Sequence, residues 1–216
     1  MFKRLAVLSA LALGTAAFAH ADTITPGSFL IQSAGLDQFT SNSITFMPST
    51  AVIGGPIGGT FATYLSDGNP VTFIAGTNPY TQGTNIAAPG GSLQLFSVTG
   101  NNLAGTTETF TFFIQSYTAA YGAIPGCSSG DTCLDITGNG YFTGSGTGTG
   151  AVTYTSTPAT FQFDSSYVPG QKIGTTTSFA AQASTLSATP EPASLALLGT
   201  GLLGVFGVAR RRFSHA

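Results

Sequence analysis

Thr109-Phe110-Thr111-Phe112-Phe113-Ile114-Gln115 is the stretch that decides the fold class. Phe110, Phe112 and Ile114 recur at every second position, with Thr109, Thr111 and Phe113 between them. That is the period of a strand with one face in a core. Phe161 and Phe163, flanked by Thr160 and Gln162, repeat the pattern. Further candidates lie at 28–32, 42–46, 60–65, 71–75, 92–98, 140–143, 151–155 and 176–184. Turn signals separate them: Gly54-Gly55-Pro56, Asp67-Gly68-Asn69-Pro70, Pro89-Gly90-Gly91, Gly100-Asn101-Asn102, Gly138-Asn139-Gly140 and Pro169-Gly170. About ten short strands joined by such turns predict an all-β domain, a single antiparallel β-sandwich of immunoglobulin-like or jelly-roll-like topology.

Composition outside this stretch agrees. Residues 22–189 contain 31 Thr and 18 Ser, whereas the helix formers Lys, Glu and Arg are almost absent. Only 6% of the 216 residues are charged and 42% are hydrophobic. A typical globular chain has roughly 25% charged residues, so this composition points to an exported or membrane-associated protein. Within 22–189 the acids are Asp22, Asp37, Asp67, Glu108, Asp131, Asp135 and Asp164, against Lys172 alone. Phosphate neutralisation needs clustered Lys and Arg, so a nucleic-acid partner is excluded.

Histidine restricts the chemistry further. The two histidines, His20 and His215, fall in terminal segments, and the body has no His, no Arg and no Trp. A Ser-His-Asp triad, a His-ligated metal and an arginine clamp are therefore ruled out, and the body is expected to be non-catalytic. A carboxylate pair acting on a glycoside stays formally open, but only Asp131 and Asp135 are close in sequence. The expected roles, in order, are a surface or matrix protein, a glycan-binding module and a glycosidase-like enzyme. For the second, Tyr64, Tyr80, Tyr117, Tyr121, Tyr141, Tyr154 and Tyr167 supply faces on which a sugar ring could stack.

Three local patterns need a reading. Gly144-Ser145-Gly146-Thr147-Gly148-Thr149-Gly150 lacks the lysine and the following helix of a phosphate-binding loop, so a flexible hairpin or edge segment is expected. Cys127 and Cys133 are the two cysteines. In an exported protein they are expected to form a disulfide, stapling a loop of turn composition. Two thiols with no nearby His do not complete a zinc site. Asp131, Asp135 and Asn139 stand four apart and carry the oxygen ligands that Ca²⁺ takes, without the spacing of an EF-hand loop, which makes them a weak calcium candidate. No cofactor is expected.

Both ends read as targeting signals. Lys3 and Arg4, the apolar residues 5–18 and the small-x-small triplet Ala19-His20-Ala21 make residues 1–21 a secretory signal, cleaved after Ala21 by signal peptidase. The body spans 22–186 and a linker, 187–192, carries Pro190-Glu191-Pro192. Residues 193–209 hold no charge and, as a helix, reach about 26 Å, near the lower limit for spanning a bilayer. Arg210, Arg211 and Arg212 then stop the helix, leaving 210–216 as a basic cytoplasmic tail and the acidic body outside.

The order Pro-Glu-Pro, short apolar helix, terminal arginines resembles the PEP-CTERM sorting signal of Gram-negative bacteria over residues 190–212. Pro190, Glu191 and Pro192 fit its recognition motif position for position. The resemblance implies processing by an exosortase, a membrane-embedded transpeptidase-like enzyme. It also implies passage through the secretion machinery and an inner-membrane intermediate with the body on the periplasmic side. Delivery to the cell surface or medium follows, with exopolysaccharide as a candidate partner.

Overall fold

The computed structural model describes residues 22–46, 51–74, 76–167 and 176–186. All belong to the first of two compact units into which the chain divides after Leu186. The strands are β1 (Ser28–Phe39), β2 (Ser43–Phe46), β3 (Ala51–Gly54), β4 (Pro70–Phe73), β5 (Gly76–Pro79), β6 (Ile86–Ala87), β7 (Leu93–Asn101), β8 (Thr107–Gly122), β9 (Thr132–Thr147), β10 (Thr153–Tyr167) and β11 (Thr176–Thr185). One α-helical turn, α1 (Phe61–Tyr64), and a 3-10 turn at Pro89–Gly91 interrupt them.

Eight strands close on themselves in the order β1-β3-β4-β7-β8-β9-β10-β11, and β11 returns to pair with β1. Every ladder between named strands is antiparallel. The all-β expectation holds, but the expected sandwich is corrected to a closed barrel. Long strands account for this: β8 and β9 have 16 residues each and β10 has 15. Strands of that length accumulate twist until the sheet curls and its first and last members meet. Closure also leaves those two strands without the unpaired edges that invite aggregation. Alternation reports which face is buried, and it is the same in both architectures.

At one end the wall is completed by additions. β2 pairs with β1 and carries β5, while β6 pairs with the later part of β8. The Tyr117 hydroxyl donates to the Pro79 carbonyl at 2.6 Å and ties β8 to the end of β5. The other end is plugged by α1. Expected as a strand, residues 60–65 turn instead because Phe61 and Tyr64 are the residues buried there, and a spacing of three puts both on one helical face but on opposite faces of a strand.

Phenylalanine fills the interior. Phe29, Phe61, Phe96, Phe110, Phe112, Phe142, Phe161 and Phe163 are each no more than 2% exposed. The Phe61 ring lies 4.9 Å from Phe29 and 5.0 Å from both Phe110 and Phe142. Such pairs contribute about 0.5–1.5 kcal/mol each beyond the area they bury. Room for them comes from β9, whose buried positions include Gly138, Gly140 and Gly144 around Phe142. A Cβ at Gly140 would run into the Phe113 carbonyl. Large rings on one wall thus face bare backbone on another, which is how a small barrel reaches native packing density. Outward positions of β8 carry Thr109, Thr111, Ser116 and Thr118. The inside is apolar and this wall is hydroxyl-rich, the reverse of a barrel that turns an apolar band to lipid.

Candidate functional site

The loop between β8 and β9 contains the expected disulfide, Cys127 to Cys133, with the two Cα atoms 5.9 Å apart. Inside it the Asp131 amide donates to the Ser128 carbonyl at 3.0 Å, a turn that the sequence Ser-Ser-Gly-Asp suits. A cleft of about 560 Å³ runs beneath, lined by Gln32, Cys127, Leu134, Asp164 and Ser165 among others. The calcium trio does not converge. Asp135 and Asn139 both lie within β9, where four residues of extended chain separate them by about 13 Å, too far to share one ion.

What the structure brings together instead is Asp135 and Asp164, directly opposite each other on β9 and β10. Both carboxyls are pushed up by burial; Asp135 is raised further by the charge of Asp164, while a hydrogen bond from Gln162 pulls Asp164 back. The Gln162 amide reaches Asp164 Oδ2 at 3.4 Å, and Asp135 Oδ1 is buried with no hydrogen-bond partner among the described residues. Reading by proximity along the chain missed this pair because its members sit on different strands.

Beside the pair, the outer wall presents two rows of amides and hydroxyls in register. One runs Thr118, Thr137, Gln162, Gln182 and the other Ser116, Asn139, Thr160, Ser184, each crossing β8, β9, β10 and β11. Neighbours within a row are about 4.8 Å apart and the rows about 6.7 Å apart. With Asn85 and Tyr117, all of these but Ser116 line a groove of about 580 Å³, and none of its lining residues is charged. Of the tyrosines proposed as sugar platforms, Tyr80 and Tyr117 are only 3% and 6% exposed, and each donates to a backbone carbonyl, of Thr40 and Pro79 respectively. They brace the fold. Tyr141 stacks on Phe113 at 5.1 Å on the outward side of the barrel.

The most unusual group is inside. Glu108 is 0% exposed, and among the described residues neither carboxylate oxygen has a hydrogen-bond partner. It points inward near the plugged end, and the glycine run now has a structural reason. The run forms the expected hairpin, between β9 and β10: Gly148 and Gly150, both with positive φ, lie in its turn, while Gly144 and Gly146 belong to β9. A Cβ at Gly144 would stand 2.9 Å from Glu108 Oε1 and 2.7 Å from the Tyr154 ring, and one at Gly146 would collide with Glu108 Oε2. Burial alone pushes the carboxyl up to about 7, because the charged form loses its water and gains no compensating donor.

The sorting residues Pro190, Glu191, Pro192 and Arg210 to Arg212, like the signal residues Ala19 and Ala21, lie outside the described residues. The model of the PEP-CTERM protein-sorting motif matches residues 188–212. The chain carries a PEP-CTERM sorting motif. That motif takes in the Pro-Glu-Pro triplet, the uncharged segment and the three arginines in a single match. A PEP-CTERM tail indicates export through a membrane-anchored intermediate and an exosortase-type processing partner. No curated protein and no solved structure matches the chain. Among the described residues no helix is long and apolar enough to cross a membrane; segment 193–209 lies outside them.

Proposed function

We propose that the barrel is the non-catalytic cargo of this PEP-CTERM tail, a surface or extracellular-matrix protein released outward by an exosortase. The observation that carries the reading is the match over residues 188–212, next to a body whose β11 ends at Thr185. Support for the passive role comes from the chemistry of the body: it has no His to act as a general base and no Arg to clamp an anion. Hydrolysis assays on the protein recovered from outside the cell, against a panel of neutral and charged polysaccharides, should release no reducing ends. Turnover that disappears in Asp135→Asn or Asp164→Asn would replace this reading with the glycosidase one.

A second reading, glycan binding by the same body, is favoured by the uncharged groove across β8 to β11. Rows of amides and hydroxyls suit a neutral polyhydroxylated chain, and the neighbouring Asp135 and Asp164 would repel an anionic one. Saturable binding of a neutral polysaccharide, weakened by Gln162→Ala with Gln182→Ala, would support it; no retention on any neutral glycan would remove it.

A further inference from the structure

A buried carboxylate with no donor is costly unless it is kept neutral or finds a cation. No Lys, Arg or His stands among the described residues. The group facing Glu108 is Tyr154 from β10, whose phenol is raised by burial, by a hydrogen bond with Tyr64 of α1 and by the charges of Glu108 and Asp22. Neither Tyr154 nor its own neighbours Tyr64 and Asp22 carry a positive side chain. In the body the one basic side chain is Lys172, and the chain on either side of it is remote from Glu108. Tyr167 and Thr176 pair with Thr132 and Gln38 at the other end of the barrel, about 40 Å along β10 from Tyr154.

One cation is created by maturation. Hydrolysis of the Ala21-Asp22 peptide bond adds one water, leaving a carboxylate on Ala21 and an amine on Asp22 that takes up a proton. The structure places Asp22 at the end of the barrel where Glu108 is buried. Asp22 forms a parallel bridge with Tyr154, and its carbonyl accepts from the Thr155 amide at 3.1 Å. The following residues hold it there. Ile24 is 2% exposed and its amide donates to Thr157 Oγ1 at 3.2 Å, while the Thr25 amide donates to Thr60 Oγ1 at 2.8 Å. Asp22 itself is exposed, and what it shares with the buried Glu108 is Tyr154: a Cβ at Gly144 would stand 2.9 Å from Glu108 Oε1 and 2.7 Å from the Tyr154 ring. The Cβ position of Gly146 that overlaps Glu108 Oε2 is also 3.1 Å from the Val152 amide nitrogen, two residues before Tyr154.

We infer that the α-ammonium of Asp22, generated when the signal segment is removed, is the missing partner of Glu108, and that their ion pair locks this end of the barrel only in the mature protein. The inference rests on cleavage after Ala21. In the precursor the same nitrogen is a neutral amide, so the lock is unavailable until export is under way. Maturation would then stabilise the fold on the far side of the membrane.

The test uses mature protein recovered from the cell exterior, with its α-amine free or selectively acetylated, as wild type and as Glu108→Gln. Acetylation should lower the thermal midpoint of the wild type at neutral pH by about 3 °C or more and leave Glu108→Gln unmoved. The Asp22 α-amine should also titrate above its ordinary range of about 7.7–8.0 in the wild type. Equal loss on acetylation in both proteins, or an α-amine at its ordinary value, overturns the pair even if Glu108→Gln fails to fold. A first residue other than Asp22 by N-terminal sequencing overturns the cleavage reading, and the pair with it; a chain beginning at Asp22 with no acetylation effect overturns the pair alone.

Discussion

Ser28, at the start of β1, stands opposite Ser184, near the end of β11, and the ladder they begin closes the barrel. The next pair, Phe29 and Ala183, shows how closure is packed: both are 0% exposed, and the small residue leaves space for the ring. Phe29→Ala should therefore cost about 3–5 kcal/mol, as deletion of a fully buried ring does. Ala183→Leu should cost about 1–3 kcal/mol by overpacking the same place. Urea unfolding of each variant measures both; a loss under 1 kcal/mol for Phe29→Ala would mean that the first and last strands are not joined.

Glycine at 140 is a steric requirement, and glycine at 68 is a conformational one. A Cβ at Gly140 meets the Phe113 backbone, which cannot rotate away, whereas at Gly68, with φ +85°, nothing lies within 4 Å. Gly68→Ala is expected to cost about 1 kcal/mol, the strain of a left-handed alanine. Gly140→Ala should cost at least twice that or prevent folding. Equal midpoints for the two variants would contradict the packing of β9 against β8.

Because burial raises Glu108 from its ordinary 4.5 to about 7, the native state holds that proton more tightly than the unfolded chain does. Its contribution to stability is fully present below about pH 4.5 and is lost as pH rises through about 7. Asp135 and Asp164, both raised by burial, add the same sign. With the α-amine blocked, thermal midpoints should fall between pH 4.5 and 8, and Glu108→Gln should fall less. Parallel curves for the two proteins would show that Glu108 is not buried in solution.

Much of the barrel was legible in the sequence. Phe110, Phe112 and Ile114 announce β8, and Phe161 with Phe163 announces β10, because alternation encodes the buried face locally. Closure was not legible, since the pairing of Ser28 with Ser184 joins residues far apart in the chain and leaves no periodic trace. The same holds for Asp135 with Asp164, which only strand register brings together. Glu108 had a faint signal: it occupies an inward position of the alternation that continues through Phe110 and Phe112, where a charge is out of place. The hairpin at 144–150 was legible, but the role of Gly144 and Gly146 beside Glu108 was not, because a glycine that makes space for a neighbour looks the same in sequence as one that turns the chain.

The disulfide should be modest in effect. A closed loop of seven residues contributes roughly 2.4 kcal/mol in the chain-entropy model, so Cys127→Ser should lower stability by about that much and leave the barrel folded. The exported protein, unfolded without reductant, should show no titratable thiol. Two thiols under those conditions would mean that Cys127 and Cys133 are not joined outside the cell.

A processing signal at residues 188–212 and a permanent anchor there leave the protein at different masses in different places. The most direct measurement is the mass of the protein found outside the cell, compared between the intact chain and one lacking Pro190, Glu191 and Pro192 but keeping segment 193–209 and the arginines. The intact chain should appear outside without Arg210, Arg211 and Arg212, while the deleted chain should stay at the inner membrane with its C-terminus in place. Recovery of both from the same compartment, each still carrying its arginines, would contradict the account.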